Sequence, residues 1–181
     1  MKKTISVLIA LVMVLSMTGA MAADLSALSA MGTTSEIVNE EAGLTLVVPE
    51  GMMATDMSAE GITMAAIVDM ANPNVSYMYI LGYEEAFAGM TIADLTEEEL
   101  AAMASAMVTE DFGAAEYTVE EIEGVPFMFI ATETGMAIYV TALVEGWSIT
   151  FVAITMDGTA LTEDALDTIG TIMDGLQIPE A

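Results

Sequence analysis

The chain has 181 residues, with 2 Lys+Arg against 28 Asp+Glu and neither His nor Cys, which gives a formal net charge of -26. These counts exclude disulfides, zinc–thiolate sites and every mechanism that needs an imidazole or a thiolate. Because the two cationic side chains are Lys2 and Lys3, the rest of the chain has nothing with which to neutralise phosphates or anionic headgroups. We therefore expect no nucleic-acid partner and no binding to anionic membranes.

The first 22 residues have the parts of a secretory signal peptide. Lys2-Lys3 is a positive n-region, Ile5 to Leu15 is apolar, and Ala20-Met21-Ala22 supplies small residues before cleavage at Ala23. The apolar stretch is shorter than the roughly 20 residues of a spanning helix, and no cysteine is present to carry a lipid. The sequence predicts residues 1–22 as signal peptide and a secreted or extracytoplasmic protein that is not lipid-anchored.

The mature chain begins with strand signals. Residues 23–35 are rich in Ala, Ser and Thr and are predicted to form a flexible linker, with one domain over residues 36–181. Leu44–Val48 is predicted as a strand that ends at the turn Pro49-Glu50-Gly51. Ile62–Val68 and Val75–Leu81 are predicted as two further strands.

A helix follows these strands. Thr96-Glu97-Glu98-Glu99 has the form of an N-terminal capping box, and apolar residues at helical spacing follow it up to Val108. Near the C-terminus, Thr162 is positioned to cap a second helix that Gly175 ends.

Between the two helices the sequence predicts a four-stranded meander with Gly in each tight connection. Its runs are Tyr117–Ile122, Pro126–Thr132, Met136–Val144 and Trp147–Ile154. The last three are apolar on both faces, so both faces need cover. The predicted fold class is α+β, an antiparallel sheet of about seven strands covered by helices on both faces.

Two residue types have alternative interpretations. The methionines that come nearest to forming a cluster are Met52, Met53 and Met57, in a predicted loop. Methionine suits adaptable binding surfaces or copper(I) sites. Without His or Cys a copper site is not expected. Tyr77, Tyr79 and Tyr83 alternate along a predicted strand and are interpreted as core rather than as the lining of a pocket.

The order of these signals resembles the PsbP-like superfamily, in particular its small exported bacterial members. The matching segments, which together cover about Gly43 to Ile178, are Gly43-Leu44-Thr45-Leu46-Val47-Val48-Pro49-Glu50-Gly51, Ile92-Ala93-Asp94-Leu95, Glu121-Ile122-Glu123-Gly124-Val125-Pro126 and Gly175-Leu176-Gln177-Ile178. The resemblance implies an α/β/α sandwich and a non-catalytic extracytoplasmic role. Members in oxygenic photosynthesis assist a manganese–calcium centre, and another branch binds a small GTPase. Members of this superfamily frequently have a Trp after the Pro-x-Gly turn, where this chain has Met52. The resemblance assigns no functional residue to this chain.

Site chemistry is restricted to carboxylates and hydroxyls. Calcium prefers hard oxygen ligands, and Asp157, Glu163 and Asp164 cluster around the start of the last helix. Acids also favour helix N-termini through the helix dipole, so diffuse binding of divalent cations is the stronger expectation. Paired carboxylates would suit glycoside hydrolysis, but with so many acids such a pair arises by chance.

The sequence therefore predicts a secreted, non-enzymatic interaction or accessory module with no cofactor and no catalytic residues. Its expected partner is a protein at the cell surface. The alternative is a calcium-responsive acidic extracellular protein, and the more distant alternative is a carboxylate-dependent hydrolase.

Overall fold

A computed structural model describes residues 33–59, 61–108 and 110–178. Ten strands and two α-helices are assigned within these ranges. The strands are β1 Glu36–Asn39, β2 Leu44–Val47, β3 Met52–Asp56, β4 Ile62–Asp69, β5 Val75–Tyr83, β6 Ala115–Ile122, β7 Val125–Thr132, β8 Ala137–Val144, β9 Trp147–Thr155 and β10 Leu176–Gln177. The helices are α1 Glu97–Met107 and α2 Glu163–Met173, and short 3-10 turns lie at Glu85–Phe87, Ile92–Asp94 and Glu110–Phe112.

The strands form two antiparallel sheets rather than one. The large sheet has seven strands in the order β3-β4-β5-β9-β8-β7-β6, and the small sheet has three in the order β1-β2-β10. The expected antiparallel sheet of about seven strands is confirmed by the large sheet. The expectation that β2 belongs to it was wrong, because β2 pairs with β1 and β10 in a separate sheet. The loop predicted around Met52-Met53 was also wrong, since both residues lie in β3 and pair with β4.

The local signals for the helices and hairpins are confirmed. The Thr96 hydroxyl accepts the Glu99 N–H at 3.3 Å, and the Thr96 N–H donates to the Glu99 carboxylate at 2.9 Å, which closes the capping box of α1. The Thr162 hydroxyl likewise accepts the Ala165 N–H at 3.3 Å at the start of α2. The meander β6–β9 is present with its two-residue connections at 123–124 and 145–146.

Gly175 lies just after the C-cap of α2 and in close contact with β2. Its carbonyl accepts the Val47 N–H at 2.8 Å, so the backbones of the helix end and β2 lie in direct contact. A Cβ atom at position 175 would collide with the Val47 carbonyl oxygen. The absence of a side chain therefore lets the end of α2 dock onto the small sheet.

The core consists of two clusters, one on each face of the large sheet. Because successive side chains of a strand point to opposite faces, each central strand contributes to both clusters. The first cluster contains Tyr77, Tyr79 and Phe151, with Ile169 and Ile172 of α2. The second cluster contains the intervening residues and part of α1. Its larger members are Met78, Ile80, Met128, Tyr139, Val152, Met103 and Met107. We call the face that carries Tyr77 and Tyr79 the first face of the large sheet.

Candidate interaction surface

One end of the large sheet carries a row of apolar side chains that crosses five adjacent strands. Tyr83 of β5 pairs with Trp147 of β9, Trp147 pairs with Val144 of β8, and Ile122 of β6 pairs with Val125 of β7. The register of β7 and β8, continued by two residues, sets Val125 beside Val144. Directly paired residues share a face, so all five lie on the first face. We call these five residues the apolar row.

The apolar row is buried at its centre and open at both ends. The Trp147 side chain is 9% exposed, whereas Tyr83 is 51% exposed and Ile122 is 38% exposed. Val125 and Val144 are half-buried. Large apolar side chains aligned on one sheet end, and only partly covered, are typical of an interaction site.

The aromatic end of the row is held in place by the β8–β9 turn. The rings of Tyr83 and Trp147 pack at a centroid distance of 5.2 Å and an interplanar angle of 60°. A Cβ atom at Gly146 would lie 2.7 Å from Cε2 of Tyr83, so the Tyr83 ring lies against bare backbone. The Glu84 N–H also donates to the Gly146 carbonyl at 2.9 Å. The exposed tyrosine is thus fixed by a partner ring and by a turn.

A carboxylate follows the row at three points. Strands β5, β6 and β8 each end in a member of the row, and the next residue in each case is a glutamate. These are Glu84, which is half-buried, and Glu123 and Glu145, which are exposed. We call these three residues the acidic rim. The described residues include no Lys, Arg or His that would neutralise them.

Two members of the acidic rim have an unfavourable backbone conformation. Glu123 has φ 52° and Glu145 has φ 51°, and each precedes a glycine that also has positive φ. Two-residue hairpin turns of this kind need positive φ at both positions, which Asn, Asp and Gly accept most readily. Among the described residues these are the only two non-glycine residues with positive φ.

The candidate cation ligands lie elsewhere. The Asp157 carboxylate accepts the Thr159 hydroxyl at 2.7 Å and the Thr159 N–H at 3.0 Å, and these bonds hold its pKa below the usual range. Glu163 and Asp164 occupy the first turn of α2. Within the described ranges no group of three or more acidic side chains is placed to hold a metal ion. Calcium binding at these three residues stays a prediction.

Two further carboxylates have a lowered pKa, and local capping explains both. Backbone and hydroxyl bonds from Thr91 lower the pKa of Asp94, and the same bonds from Thr96 lower the pKa of Glu99. In both cases neutral donors stabilise the anion. These carboxylates therefore act in local structure, at the starts of a 3-10 turn and of α1.

The other tyrosines of β5 are core residues, as expected. The Tyr77 hydroxyl donates to the Ala165 carbonyl of α2 at 3.5 Å. The Tyr79 hydroxyl, by contrast, is buried and has no hydrogen-bond partner among the described residues, and burial raises its pKa. Burial also raises the pKa of Tyr139 to about 12. Tyr83 is exposed, so the prediction that all three tyrosines belong to the core was wrong for Tyr83.

The apolar row was not foreseen from the sequence. Its members are far apart along the chain, and only the strand register brings them together. A signal was nevertheless present, because an apolar residue followed by glutamate ends two of the predicted strands, at Ile122-Glu123 and Val144-Glu145. The same pattern occurs two residues beyond the predicted strand Val75–Leu81, at Tyr83-Glu84.

The predicted signal peptide, residues 1–22, and its cleavage site at Ala20, Ala22 and Ala23 lie outside the described residues, as does most of the predicted linker. Thr34 and Ser35, at the end of that linker, hydrogen-bond to Ala54 and Val48. In the part of the chain that is described, no helix is both long and apolar enough to cross a membrane.

Comparison with known proteins supports the fold. No protein-family model matches the chain, and no curated protein matches it. Among solved structures, the chain is similar to the solution structure of cyanobacterial PsbP (CyanoP) from Synechocystis sp. PCC 6803, with a TM-score of 0.53 and 15% sequence identity. The match covers 82% of this chain and 94% of that one. The resemblance to the PsbP-like superfamily is therefore confirmed at the level of the fold.

Proposed function

We propose that this protein is an extracytoplasmic, non-enzymatic accessory module that binds a basic protein partner through the apolar row and the acidic rim. The observation that carries the proposal is the coincidence of the two features at one sheet end. Three strands end in an exposed or half-buried apolar residue followed directly by a glutamate. The PsbP-like fold is consistent with an accessory role.

The two features contribute different parts of an interface. Tyr and Trp are enriched among the residues that dominate binding energy, and the row supplies both, in contact with each other. The rim supplies a negative potential that favours Lys and Arg on the partner and repels acidic surfaces. An arginine has a further advantage, because its guanidinium stacks on aromatic rings while it binds carboxylates.

An extracytoplasmic location is part of the same proposal, and so is the cover of the large sheet by helices. The predicted signal peptide supports export, and the scarcity of cations argues against nucleic acid and anionic membranes as partners.

We also infer that helices cover both faces of the large sheet. Met103 of α1 packs in the cluster of Met78, whereas Ile169 of α2 packs in the cluster of Tyr77, and neighbouring strand residues point in opposite directions.

The test is affinity capture from cell-envelope extract of the source organism, followed by identification of the partner. A protein beginning at Ala23 is compared with the rim variant Glu84→Gln/Glu123→Gln/Glu145→Gln. The matched control Glu36→Gln/Glu40→Gln/Glu41→Gln removes the same charge from exposed residues of β1 and the β1–β2 turn.

The expected result is one stoichiometric partner with a basic surface, retained by wild type and control and lost from the rim variant as salt rises. Tyr83→Ala should also weaken capture of the partner, although it leaves the three glutamates of the acidic rim in place. A partner held equally by the rim variant, or an acidic partner, would contradict the proposal. Turnover of a substrate that a single Asp or Glu substitution abolishes would establish the hydrolase instead.

A further inference from the structure

The outer edge of β6 is unpaired in the part of the chain that the structure describes. β6 is the last strand of the large sheet and pairs with β7 over its whole length, Ala115–Ile122. At the opposite edge, β3 receives a backbone bond from the Thr34 N–H to the Ala54 carbonyl at 2.9 Å. No described strand lies on the outer side of β6. The N–H and C=O groups that point away from β7 are therefore a template for another strand.

Of the usual features that prevent edge pairing, β6 has only charged side chains, and all of them are acidic. Its register with β7 runs from Ala115–Thr132 to Ile122–Val125 without a bulge, and the strand contains neither Pro nor Lys. Residues 118–122 are all exposed, and Val119 is 41% exposed. Such an edge accepts a strand unless its side chains forbid the pairing.

The side chains of β6 select the charge of the incoming strand. Glu116 and Glu120 lie on the first face and Glu121 lies on the other, all exposed. A second copy of β6 would bring acids against acids, and like charges on neighbouring strands destabilise a sheet. A strand with Lys or Arg at these positions would instead gain an opposite-charge neighbour on each face.

We propose that a segment of the basic partner adds to the large sheet as an eighth strand along β6. Its cationic side chains lie beside Glu116 and Glu120, and its apolar side chains lie beside Val119 and Ile122. Ile122 is also the first member of the apolar row, so the added strand and the row form one continuous surface. The inference rests on the proposed function, because it takes the cationic nature of the partner from there.

The probe is an end-blocked eight-residue peptide of Lys and Val, added to the protein that begins at Ala23. In antiparallel register it has Lys opposite Glu116, Glu120 and Glu121 and Val opposite the other residues of β6. The control peptide has every amide nitrogen methylated, which keeps the charges and removes all backbone donors. Amide hydrogen exchange locates the binding, and fluorescence titration measures the affinity. The variant Glu116→Gln/Glu120→Gln is compared with Glu36→Gln/Glu40→Gln, which has the same net charge.

We expect the Lys–Val peptide to slow exchange at outward amides of 115–122 and to leave β3 unchanged. The methylated peptide should bind about tenfold more weakly or worse, because the ladder of backbone bonds is lost. Glu116→Gln/Glu120→Gln should weaken binding about fivefold, while the matched control should not.

Equal binding of the two peptides without protection of β6 would overturn strand addition and leave the proposed function intact, since charge alone then explains the binding. Protection of β6 that depends on protein concentration without peptide would overturn it in favour of a second copy. Failure of both peptides to bind at low salt also counts against strand addition, and the capture experiment decides the proposed function independently.

Discussion

The buried hydroxyl of Tyr79 makes a direct test of the core. Tyr77 and Tyr79 lie two residues apart on β5 and point into the same cluster. Each is 1% exposed. The Tyr77 hydroxyl donates to Ala165, whereas the Tyr79 hydroxyl has no partner among the described residues. Tyr79→Phe and Tyr77→Phe are therefore a matched pair that removes the same atom from two environments.

The two substitutions should change stability in opposite directions. An unpaired buried hydroxyl costs about 1–3 kcal/mol, and the lost oxygen forfeits contacts of only about 0.1–0.2 kcal/mol each. We expect Tyr79→Phe to raise the free energy of unfolding by about 1 kcal/mol and the melting temperature by about 2–4 °C. Tyr77→Phe should lower the free energy by about 0.5 kcal/mol, since its bond is long.

Urea titration measures both changes. Trp147 is the only tryptophan and lies on the first face, so its fluorescence reports the unfolding of this part of the core. The dependence of the free energy on urea should be unchanged, so that a shift in midpoint reports stability. A loss of more than about 0.5 kcal/mol in Tyr79→Phe would refute the reasoning, because the hydroxyl would then have a partner such as a buried water.

Four other outcomes are expected. The folded protein keeps the Tyr139 proton up to a pKa of about 12, while the unfolded chain releases it near 10. The free energy of unfolding should therefore be steady below about pH 10 and fall between about pH 10 and 12. Tyr139 contributes up to about 2–3 kcal/mol of that fall, and Tyr139→Phe should remove this share in urea titrations. Thr96→Ala should cost about 1 kcal/mol in the same assay, and Thr96→Ser should cost less. Glu123→Asn and Glu145→Asn should each stabilise by about 1 kcal/mol and weaken capture of the partner, and a loss of stability would contradict the account of the turns. Added NaCl should raise the melting temperature at pH 8 by screening repulsion, and a fall would contradict the account of an anionic surface without neutralising cations.

Signals that depend on neighbouring residues predicted their elements well. The Thr96 capping box and the Thr162 cap mark the starts of both helices, because the atoms concerned are at most three residues apart. The meander was predictable for the same reason, since two-residue turns fix the register of β6 with β7 and of β8 with β9.

Long-range pairing was not predictable in the same way. β2 was recognised as a strand, but its partner β10 pairs Leu176 with Leu46, and nothing local encodes a contact across that separation. β1 and β3 were missed because EIVN and MMATD are short and do not alternate cleanly. The apolar row had the same difficulty, because it exists only once five strands are in register.

The departures from local rules are concentrated where the proposed interaction surface lies. Tyr83 leaves a large ring exposed at the end of a buried strand, and Glu123 and Glu145 hold positive φ in two hairpins of the same sheet end. The β7–β8 connection, at the other end of these strands, uses Gly135 at φ 69° instead. A sequence selected for stability alone would place Asn or Gly in all these turns, because neither has the steric penalty of glutamate there. Retaining glutamate at both positions keeps two carboxylates beside the apolar row at the expense of stability, which is the pattern expected where a surface is used for binding.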